Sequence, residues 1–280
     1  MRVLLTGATG FIGSAVLARL IEAGHEVIAV VRSDASAAIV EAGGATAVVH
    51  ALPDTAWLAS ALAEVDGAIH AATTDDGTAP DFDASVVDAV IDAFSDGTKP
   101  YVHTGGVWVY GNGDDLDEDS GFDAPAITAW REDVESRLLS SGVKASVVAP
   151  AVVYGHGKGM ANIVTGAPTT DEGAILIGSG DQHWATVHVD DLADLYLAVL
   201  ENATGGESYL AASGHNPTVR EMHEAVFATV LPQSEEQTRE RFGALFADAL
   251  LLDQQAAGLK AKREFGWAPH RGTLIDELRG

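Results

Sequence analysis

The sequence predicts an α/β fold: a doubly wound parallel sheet with helices on both faces, followed by a smaller and mostly helical C-terminal lobe. Three observations support this prediction. Short β-branched runs alternate with amphipathic helical stretches over the first 150 residues, a glycine-rich turn joins the first strand to the first helix, and the pattern loosens after Pro150. A chain of 280 residues is long enough for both parts.

Six runs rich in β-branched residues predict the strands of the sheet, and five helical patterns lie between them. The predicted strands are residues 2–6, 26–31, 46–49, 67–70, 101–103 and 145–148. The predicted helices are residues 11–23, 35–42, 56–63, 82–94 and 127–140. This alternation predicts parallel strands, because each helix carries the chain back to the starting edge of the sheet.

The second half of the chain has a different pattern. Residues 155–181 are rich in Gly, Thr and Ala and predict loops, and Asp75 and Asp76 are also assigned to a loop. Helical patterns resume after residue 189 and cover residues 190–201, 219–231, 234–252 and 254–265. We expect the last three of these helices to build the C-terminal lobe.

The first strand runs directly into three glycines with the spacing G-x-x-G-x-x-G. Gly7 permits a tight turn, Gly10 lets a phosphate approach the backbone, and Gly13 allows the helix to pack closely on the strand. The backbone N–H groups at the start of a helix favour a pyrophosphate. Because a strand precedes the glycines and a helical run follows them, we interpret the loop as a dinucleotide site rather than an incidental glycine-rich turn.

The loop Thr6-Gly-Ala-Thr-Gly-Phe-Ile-Gly13 resembles the cofactor loop of the extended short-chain dehydrogenase/reductase family, the relatives of nucleotide-sugar epimerases and dehydratases. Further segments agree with the family in the same order: DGAIHAA at 66–72, VWVYG at 107–111, APAVVYG at 149–155, WATVHVDDLA at 184–193 and KREFGW at 262–267. The resemblance spans nearly the whole chain. It implies a Rossmann-like fold, a nicotinamide cofactor and a small-molecule substrate.

The resemblance also implies a domain division, since in this family the helix at 190–201 returns to the main domain. We expect residues 1–153 together with about 185–201 to form the NADP-binding Rossmann domain. Residues of about 154–184 and 202–280 are then expected to form the substrate-binding lobe.

The end of the second strand predicts which nicotinamide cofactor is bound. Dinucleotide-binding folds place an acidic residue here for the ribose of NAD, or an Arg for the 2′-phosphate of NADP. The chain has Arg32 and Ser33, a cation and a hydroxyl donor, followed by Asp34. The sequence therefore favours NADP (NADPH). An alternative is that Arg32 caps a surface turn while Asp34 binds the ribose.

Other cofactor contacts are implied by the resemblance alone. The family carries an Asp near the third strand that contacts adenine, but the matching position is Ala51, so apolar contacts such as Leu52 are expected instead. The expected cofactor-binding residues are Gly7, Thr9, Gly10, Phe11, Ile12, Gly13, Arg32, Ser33, Leu52, Ala71, Ala72, Thr73, Thr104, Arg131, Pro150 and Val153.

The catalytic half of the family pattern is altered. The family uses a Tyr-x-x-x-Lys pair on one helical face, with a Ser or Thr at the end of the fifth strand. Aligning Glu135 with the acidic residue that follows the pair puts Ile127 in the Tyr position and Arg131 in the Lys position, with Gly106 at the Ser or Thr position. We favour a ribose-binding role for Arg131; an ion pair with Glu135 at i+4 is the alternative.

Three residues are proposed as catalytic candidates: Thr104, Arg131 and Tyr154. Thr104 lies next to the missing Ser position. Tyr154 and Lys158 form a literal Tyr-x-x-x-Lys sequence, but Gly155 and Gly157 disfavour a helix between them, so we do not expect them to act as a pair.

Three histidines are assigned no catalytic or metal-binding role. His103 alternates with an apolar neighbour on a predicted strand and is expected to be a core residue. His183 and His188 flank Trp184 without metal-ligand spacing, and no metal site is predicted.

Composition excludes several partner classes. The formal charge of −25 argues against binding to nucleic acids and to anionic membranes. The chain contains no cysteine, which excludes disulfides and thiol chemistry and fits a reducing cytoplasm. No apolar run reaches the ~18 residues that a membrane span needs. A homodimer is expected by resemblance only.

The leading functional hypothesis is an NADP(H)-dependent oxidoreductase that acts on a small, fairly apolar carbonyl, enone or imine without the usual Tyr–Lys pair. Two alternatives remain open. One is a non-catalytic NADP(H)-binding sensor, and the other is a nucleotide-sugar epimerase or dehydratase.

Overall fold

The computed structural model describes residues 1–74 and 76–280, so Asp75, assigned above to a loop, lies outside the described residues. The chain divides into two compact units. The first comprises residues 1–105, 131–148 and 192–209, and the second comprises residues 106–130, 149–191 and 210–280. Residues 106–130, 149–153 and 185–191 therefore belong to the second unit, although the sequence assigned them to the Rossmann domain, and residues 202–209 belong to the first.

The first unit contains seven strands and six helices of the described chain, some extending past its boundaries. Its strands are β1 (Arg2–Thr6), β2 (Glu26–Val31), β3 (Thr46–Val49), β4 (Gly67–His70), β5 (Tyr101–Thr104), β7 (Ala145–Pro150) and β12 (Glu207–Ala211). Its helices are α1 (Phe11–Glu22), α2 (Asp34–Ala42), α3 (Thr55–Ala63), α4 (Ala79–Ala93), α5 (Arg131–Leu139) and α7 (Val189–Asn202).

These strands form one sheet in the order β12-β7-β5-β4-β1-β2-β3. The pairs from β3 to β7 are parallel. Strand order runs outward in both directions from β1 and β4, so the topology switches between these two strands. A crevice opens at such a switch point, outside the carboxyl ends of the strands.

The sheet is buried because its strands are almost continuously apolar. Val3, Leu5, Ala29 and Ile69 have no accessible surface. Strands covered by helices on both faces have this composition, whereas strands with one solvated face alternate. The predicted doubly wound parallel sheet is confirmed.

The second unit is built from short elements. Its strands are β6 (Gly113–Leu116), β8 (Val152–Gly155), β9 (Lys158–Gly159), β10 (Ala174–Ile175), β11 (Thr186–His188), β13 (Val230–Leu231) and β14 (Gln254–Ala256). Its helices are α6 (Ala161–Thr165), α8 (Val219–Glu224), α9 (Glu235–Phe242), α10 (Ala244–Leu250), α11 (Leu259–Phe265) and α12 (Leu274–Arg279), with a 3-10 helix at Val107–Tyr110. Its strands form small sheets, β11-β8-β9, β10-β13 and β14-β6.

Three helices predicted for this region are shorter than expected. Val230–Leu231 is a strand paired with β10, because Pro232 disfavours helical backbone at the residue before it. Gly243, with φ of 79°, separates α9 from α10. Gln254–Ala256 pairs with β6 rather than starting a helix.

Among the described residues, no helix is both long enough and apolar enough to cross a lipid bilayer.

Candidate functional site

The glycine loop after β1 has the tight geometry that its sequence predicts. Gly7 adopts a φ of 74°, and the Gly10 N–H donates to the Gly7 carbonyl at 2.8 Å. A Cβ on Gly7 would lie 2.4 Å from the Ala71 carbonyl oxygen, and a Cβ on Gly13 would lie 2.0 Å from the Gly7 oxygen. Both glycines are therefore required by backbone-to-backbone packing, and α1 begins directly behind them.

A cavity of about 430 Å³ lies at the switch point. Its size falls within the range of small-molecule and cofactor sites. The residues that line it come from the carboxyl ends of β1 to β4 and from α1, α2 and α4: Thr6, Gly7, Thr9, Gly10, Phe11, Ile12, Val30, Val31, Arg32, Ser36, His50, Leu52, Ala71, Ala72, Thr73, Thr74 and Phe82. The N-terminus of α1 faces this cavity with backbone N–H groups and a positive dipole, an arrangement that favours phosphate.

The end of β2 presents a cation to the cavity. Arg32 is exposed and lines the cavity, and within residues 1–74 and 76–280 its guanidinium has no hydrogen-bond or ion-pair partner. Asp34 is the first residue of α2 and does not line the described part of the cavity. This arrangement favours Arg32 over Asp34 as the residue that faces a cofactor ribose.

Ser33 has a structural role that the sequence did not indicate. Its Oγ accepts a hydrogen bond from the Ser36 N–H at 3.2 Å and so caps α2. The same hydroxyl donates to Ser36 Oγ at 3.1 Å, and Ser36 is the serine that lines the cavity. Ser36 lies in the first turn of α2, four residues after Arg32. This spacing could have identified Ser36 as a residue of the cavity wall.

Opposite the glycine loop, His50 and Leu52 line the cavity after β3. The His50 ring stacks on Trp57 with 3.8 Å between ring centroids, and its Nε2 lies 3.1 Å from Asp54 Oδ2. Asp54 in turn caps α3 by accepting the Trp57 N–H. His50 thus offers the cavity a flat ring held in place from behind, and the sequence analysis missed it.

Fourteen of the sixteen predicted cofactor residues fall into three groups. Ten line the cavity: Gly7, Thr9, Gly10, Phe11, Ile12, Arg32, Leu52, Ala71, Ala72 and Thr73. Gly13 and Ser33 lie behind it and hold α1 and α2. Pro150, which ends β7, and Val153, which pairs with Val187 of β11, belong to the second unit, and their cofactor role stays a prediction.

Thr104 and Arg131 belong instead to a buried polar network at the carboxyl ends of β4 and β5. Its centre is Asp83 of α4, which is only 2% exposed. His70 Nε2 lies 3.3 Å from Asp83 Oδ1, and His103 Nε2 lies 3.5 Å from Asp83 Oδ2. The expectation that His103 is a core residue agrees with its complete burial.

Hydrogen bonds on the far side of each ring indicate the proton positions. Thr6 Oγ1 lies 2.7 Å from His70 Nδ1, and the Tyr101 hydroxyl lies 3.0 Å from His103 Nδ1. If each hydroxyl donates to Nδ1, each Nε2 carries the proton and faces the carboxylate of Asp83: His70 Nε2 is hydrogen-bonded to it, whereas His103 Nε2 lies near it without a hydrogen bond. Since Thr6 also lines the cavity, the network extends from the cavity wall into the core.

The charges of this network follow from its burial. Burial opposes ionisation of Asp83, but the facing imidazoles of His103 and His70 outweigh it and hold the pKa of Asp83 well below its usual range. Burial lowers the pKa of His103, which favours a neutral ring. Asp83 is therefore a buried carboxylate, and it requires a cation nearby.

Arg131 supplies that cation from the first residue of α5. Its Nη1 donates to the Thr104 carbonyl at 2.9 Å and lies 3.8 Å from Asp83 Oδ2 and 3.9 Å from Glu135 Oε1. The guanidinium is thus directed into the network, and the alternative contact with Glu135 is present. Its ribose-binding role stays a prediction.

The helix predicted for residues 127–140 begins later than expected. It starts at Arg131, while Ile127 lies in a turn where the Thr128 N–H donates to the Pro125 carbonyl at 2.9 Å. Ile127 and Arg131 therefore do not share a helical face. The acidic residues at 132 and 133 suit the first turn of a helix, and Pro125 suits the turn before it.

Glu135 is a second buried carboxyl, 2% exposed. Among the described residues no hydrogen-bond donor reaches its Oε1. Burial raises its pKa to about 7, partly offset by the Arg131 guanidinium. A Cβ on Gly105 would lie 2.9 Å from Glu135 Oε1, so this carboxyl fills the space beside β5 that a larger residue would occupy.

The Thr104 hydroxyl already has two partners. It donates to the His70 carbonyl at 2.6 Å and lies 2.6 Å from the Tyr196 hydroxyl of α7. Burial raises the pKa of Tyr196, which keeps that phenol protonated. Thr104 thus links β4, β5 and α7, and its hydroxyl proton is engaged with the His70 carbonyl.

Tyr154 is placed differently from the other catalytic candidates. It lies in β8 of the second unit, buried, and its hydroxyl donates to the Gly272 carbonyl at 2.8 Å. Burial raises its pKa above the usual value. Lys158 lies in β9, in an antiparallel hairpin with β8, so the two residues share no helical face, as predicted.

The fold brings together a further group that spacing alone did not predict. His156, His188 and Asp190 of the second unit place one ligand atom each within 4.8 Å of one another. The prediction of no metal site, which considered His183 and His188 along the sequence, did not consider these three residues together.

Comparison with known proteins agrees with this architecture. The model of the NAD dependent epimerase/dehydratase family matches residues 3–212. The chain is 31% identical over 290 residues to uncharacterized protein C2A9.02 of Schizosaccharomyces pombe, covering 99% of this chain and 98% of that protein. The similarity therefore extends over nearly all of both chains.

Solved structures with the same fold contain nicotinamide cofactors. Human epimerase family protein SDR39U1, solved with NADPH, superposes with a TM-score of 0.73 at 21% identity, covering 100% of this chain and 98% of that one. Thermus thermophilus UDP-glucose 4-epimerase, in complex with NAD, has a TM-score of 0.75 at 20% identity and coverage of 100% and 99%. With the family model matching three quarters of its length, the chain belongs to the NAD dependent epimerase/dehydratase family.

Proposed function

We propose that this protein binds NADP(H) in the cavity at the switch point and acts as an oxidoreductase on a small, fairly apolar carbonyl, enone or imine. The observation that carries the cofactor part of this proposal is Arg32, a cation without a partner among the described residues, at the wall of the cavity. A 2′-phosphate is the cofactor group that such a guanidinium recognises. The NADPH in the human family member supports the same choice, whereas the Thermus epimerase carries NAD.

The described residues fit such a cofactor. Gly7 and Gly10 leave room for a pyrophosphate at the start of α1, and Ala71 and Ala72 leave room beneath it. His50 and Leu52 offer a flat ring and an apolar surface for adenine. When bound, NADPH would supply a hydride to the electrophilic carbon of the substrate and become NADP⁺, while a proton would go to the carbonyl oxygen, to the imine nitrogen or, for an enone, to the α-carbon.

The residues of this chain hold the end of β5 in place. Arg131 and the histidine pair fix the end of β5, where Thr104 holds a short hydroxyl contact with Tyr196. The proton comes from such a hydroxyl, from water or from the substrate itself. The sequence alignment puts Ile127 where the family Tyr would stand, and isoleucine transfers no proton.

Two further functions have specific support. Nucleotide-sugar epimerisation or dehydration is favoured by the family model and by relatives such as the UDP-glucose 4-epimerase of Mycolicibacterium smegmatis. A non-catalytic NADP(H) sensor is favoured by the sequence alignment that puts Ile127 and Arg131 at the positions of the catalytic pair. All three functions require a bound nicotinamide cofactor. They differ in the reaction, if any, that the protein catalyses.

A single set of measurements separates them. Calorimetric titration with NADPH and NADH tests the cofactor, and absorbance at the reduced nicotinamide band follows turnover with a panel of ketones, enones and imines. Epimerisation of UDP-glucose is assayed in parallel. Oxidation of NADPH by a panel member supports the oxidoreductase, whereas tight NADPH binding without turnover in either assay supports the sensor. Absence of NADPH binding contradicts the proposal at its base.

A further inference from the structure

The second unit contains a group of side chains suited to a transition metal. His156 lies in the turn between β8 and β9, His188 ends β11, and Asp190 lies in the first turn of α7. His156 Nε2 is 3.1 Å from Asp190 Oδ1, and His188 Nδ1 is 3.8 Å from Asp190 Oδ2. Two imidazoles and a carboxylate are ligands that Zn²⁺ and related divalent ions prefer. We propose that these three residues form a site for a divalent transition metal such as Zn²⁺.

The orientation of His188 supports this assignment. The Asp190 backbone N–H donates to His188 Nδ1 at 3.2 Å, so the lone pair lies on Nδ1, on the side of the Asp190 carboxylate. The opposite nitrogen, Nε2, then carries the proton and lies 3.9 Å from Glu277 Oε2. Metal-bound histidines typically donate their second N–H to a carboxylate, and Glu277 is the carboxylate on this side of the ring, 0.4 Å beyond the 3.5 Å limit of a hydrogen bond. Metal binding at Nδ1 replaces one long hydrogen bond with the Asp190 N–H.

The neighbouring carboxylate of Asp191 has different partners from that of Asp190. Asp191 is buried and accepts hydrogen bonds from the backbone N–H groups of His270 and Arg271, so its carboxylate holds that segment of backbone in place. Asp190 is partly exposed and directs its carboxylate at His156. The two adjacent aspartates thus have different tasks, and only Asp190 faces imidazoles on two sides.

The charge around the site permits a cation. Asp190 and Glu277 each place a carboxylate oxygen within 4 Å of a ring nitrogen of His188, and the Arg271 guanidinium lies 3.7 Å from Asp190 Oδ2. The Arg271 side chain is 43% exposed, so it can turn into solvent when a metal takes its place. A bound ion joins the hairpin turn, the end of β11, the start of α7 and, through Glu277, α12.

Titration of tag-free protein with Co²⁺ tests the site, because its d–d absorption bands report nitrogen and oxygen coordination directly. We expect one saturable site that Zn²⁺ displaces, and a rise in Tm with Zn²⁺. His156→Asn keeps a residue that tolerates the left-handed backbone at φ 56° and removes the ligand, so affinity falls by about tenfold or more. Glu277→Gln weakens binding by about 10- to 100-fold if it orients His188.

His183→Ala is the matched control. His183 Nδ1 lies 2.9 Å from Asp253 Oδ1 in the same unit, a histidine–aspartate pair outside the group of His156, His188 and Asp190. This variant should bind Co²⁺ as the wild type does. The proposal is overturned if the wild type shows no saturable d–d bands, or if His156→Asn binds as tightly as the wild type. Loss of binding in His183→Ala places the metal elsewhere and overturns it as well. None of these outcomes depends on NADP(H) binding.

Discussion

His70 and His103 face each other directly across β4 and β5, with 5.4 Å between ring centroids and 16° between ring planes. Both rings direct Nε2 at the same carboxylate, that of Asp83. The in-register pairing of parallel strands thus places two donors side by side, and α4 brings the acceptor to them. Because Asp83 also lies near Arg131, one buried carboxylate connects two strands and two helices at the edge of the cofactor cavity.

Asp83→Asn should destabilise the first unit strongly. Its amide would place a donor against one of the two ring N–H groups and leave Arg131 without its buried anion. Breaking a buried charge interaction in this way costs about 3–5 kcal/mol. The free energy of unfolding in urea measures the loss.

Asp88→Asn is the control on the same helix. Asp88 pairs with Arg137 at the surface, with side chains 55% and 44% exposed, and such pairs contribute about 0–1 kcal/mol. Equal effects of the two substitutions would contradict the role assigned to the histidine pair.

Glu135 predicts a pH dependence of stability with a definite sign. Its pKa is about 7 in the folded chain and 4.5 as the reference value, so the folded state holds its proton more tightly. The stability that the folded chain gains from holding this proton is fully present below pH 4.5 and is lost as the pH rises to about 7. Glu135→Gln mimics the protonated form and should be more stable than the wild type by about 3 kcal/mol at pH 8.

Urea unfolding of both proteins between pH 5 and 8 measures this difference directly. The gap should open between pH 5 and 7 and then stay constant. Glu132→Gln, an exposed position on the same helix, serves as the control and should follow the wild type. A gap that is independent of pH would show that Glu135 is already ionised at pH 5.

The sequence predicted the first unit well because its signals are local. The strands at 2–6, 26–31, 46–49 and 67–70 were predicted with the bounds that the structure has, since buried parallel strands are continuous apolar runs. The glycine loop and Arg32 were found for the same reason. Each is a short motif attached to a predicted strand.

The residues that were missed depend on contacts between distant segments. His70 and Asp83 are thirteen residues apart, and His103 meets them only after β4 and β5 pair. His156 and His188 likewise meet through the pairing of β8 with β11. Side-chain spacing along the chain carries no signal for such contacts, because they arise from strand register.

Arg32→Ala tests the cofactor preference. The substitution should weaken NADPH binding by about 10- to 100-fold, since hydrogen bonds to a charged group contribute about 1.5–3 kcal/mol. NADH binding should change little, because NADH lacks the 2′-phosphate. Calorimetric titration with both cofactors gives the two ratios.

Arg263→Ala is the matched surface control, with a side chain that is 70% exposed and outside the lining of the described cavity. It should leave both affinities unchanged. A parallel loss of NADPH and NADH affinity in Arg32→Ala would instead indicate that Arg32 supports the shape of the loop.

Gly10→Ala and Gly13→Ala separate folding from cofactor binding within one loop. A Cβ on Gly13 meets the Gly7 carbonyl oxygen at 2.0 Å, which forces α1 away from β1 and should cost more than about 3 kcal/mol. A Cβ on Gly10 meets the same oxygen at 3.2 Å, and Gly10 has a φ of −77° that alanine adopts readily. The free energy of unfolding of Gly10→Ala should therefore lie within about 1 kcal/mol of the wild-type value.

NADPH affinity, unlike stability, should distinguish Gly10→Ala from the wild type. Gly10 lines the cavity where a phosphate would meet the backbone, so the added methyl group should lower NADPH affinity by about tenfold or more in a folded protein. Urea unfolding and calorimetry on the same preparation provide both values. If Gly10→Ala retained full NADPH affinity, the pyrophosphate could not lie in contact with the backbone of Gly10.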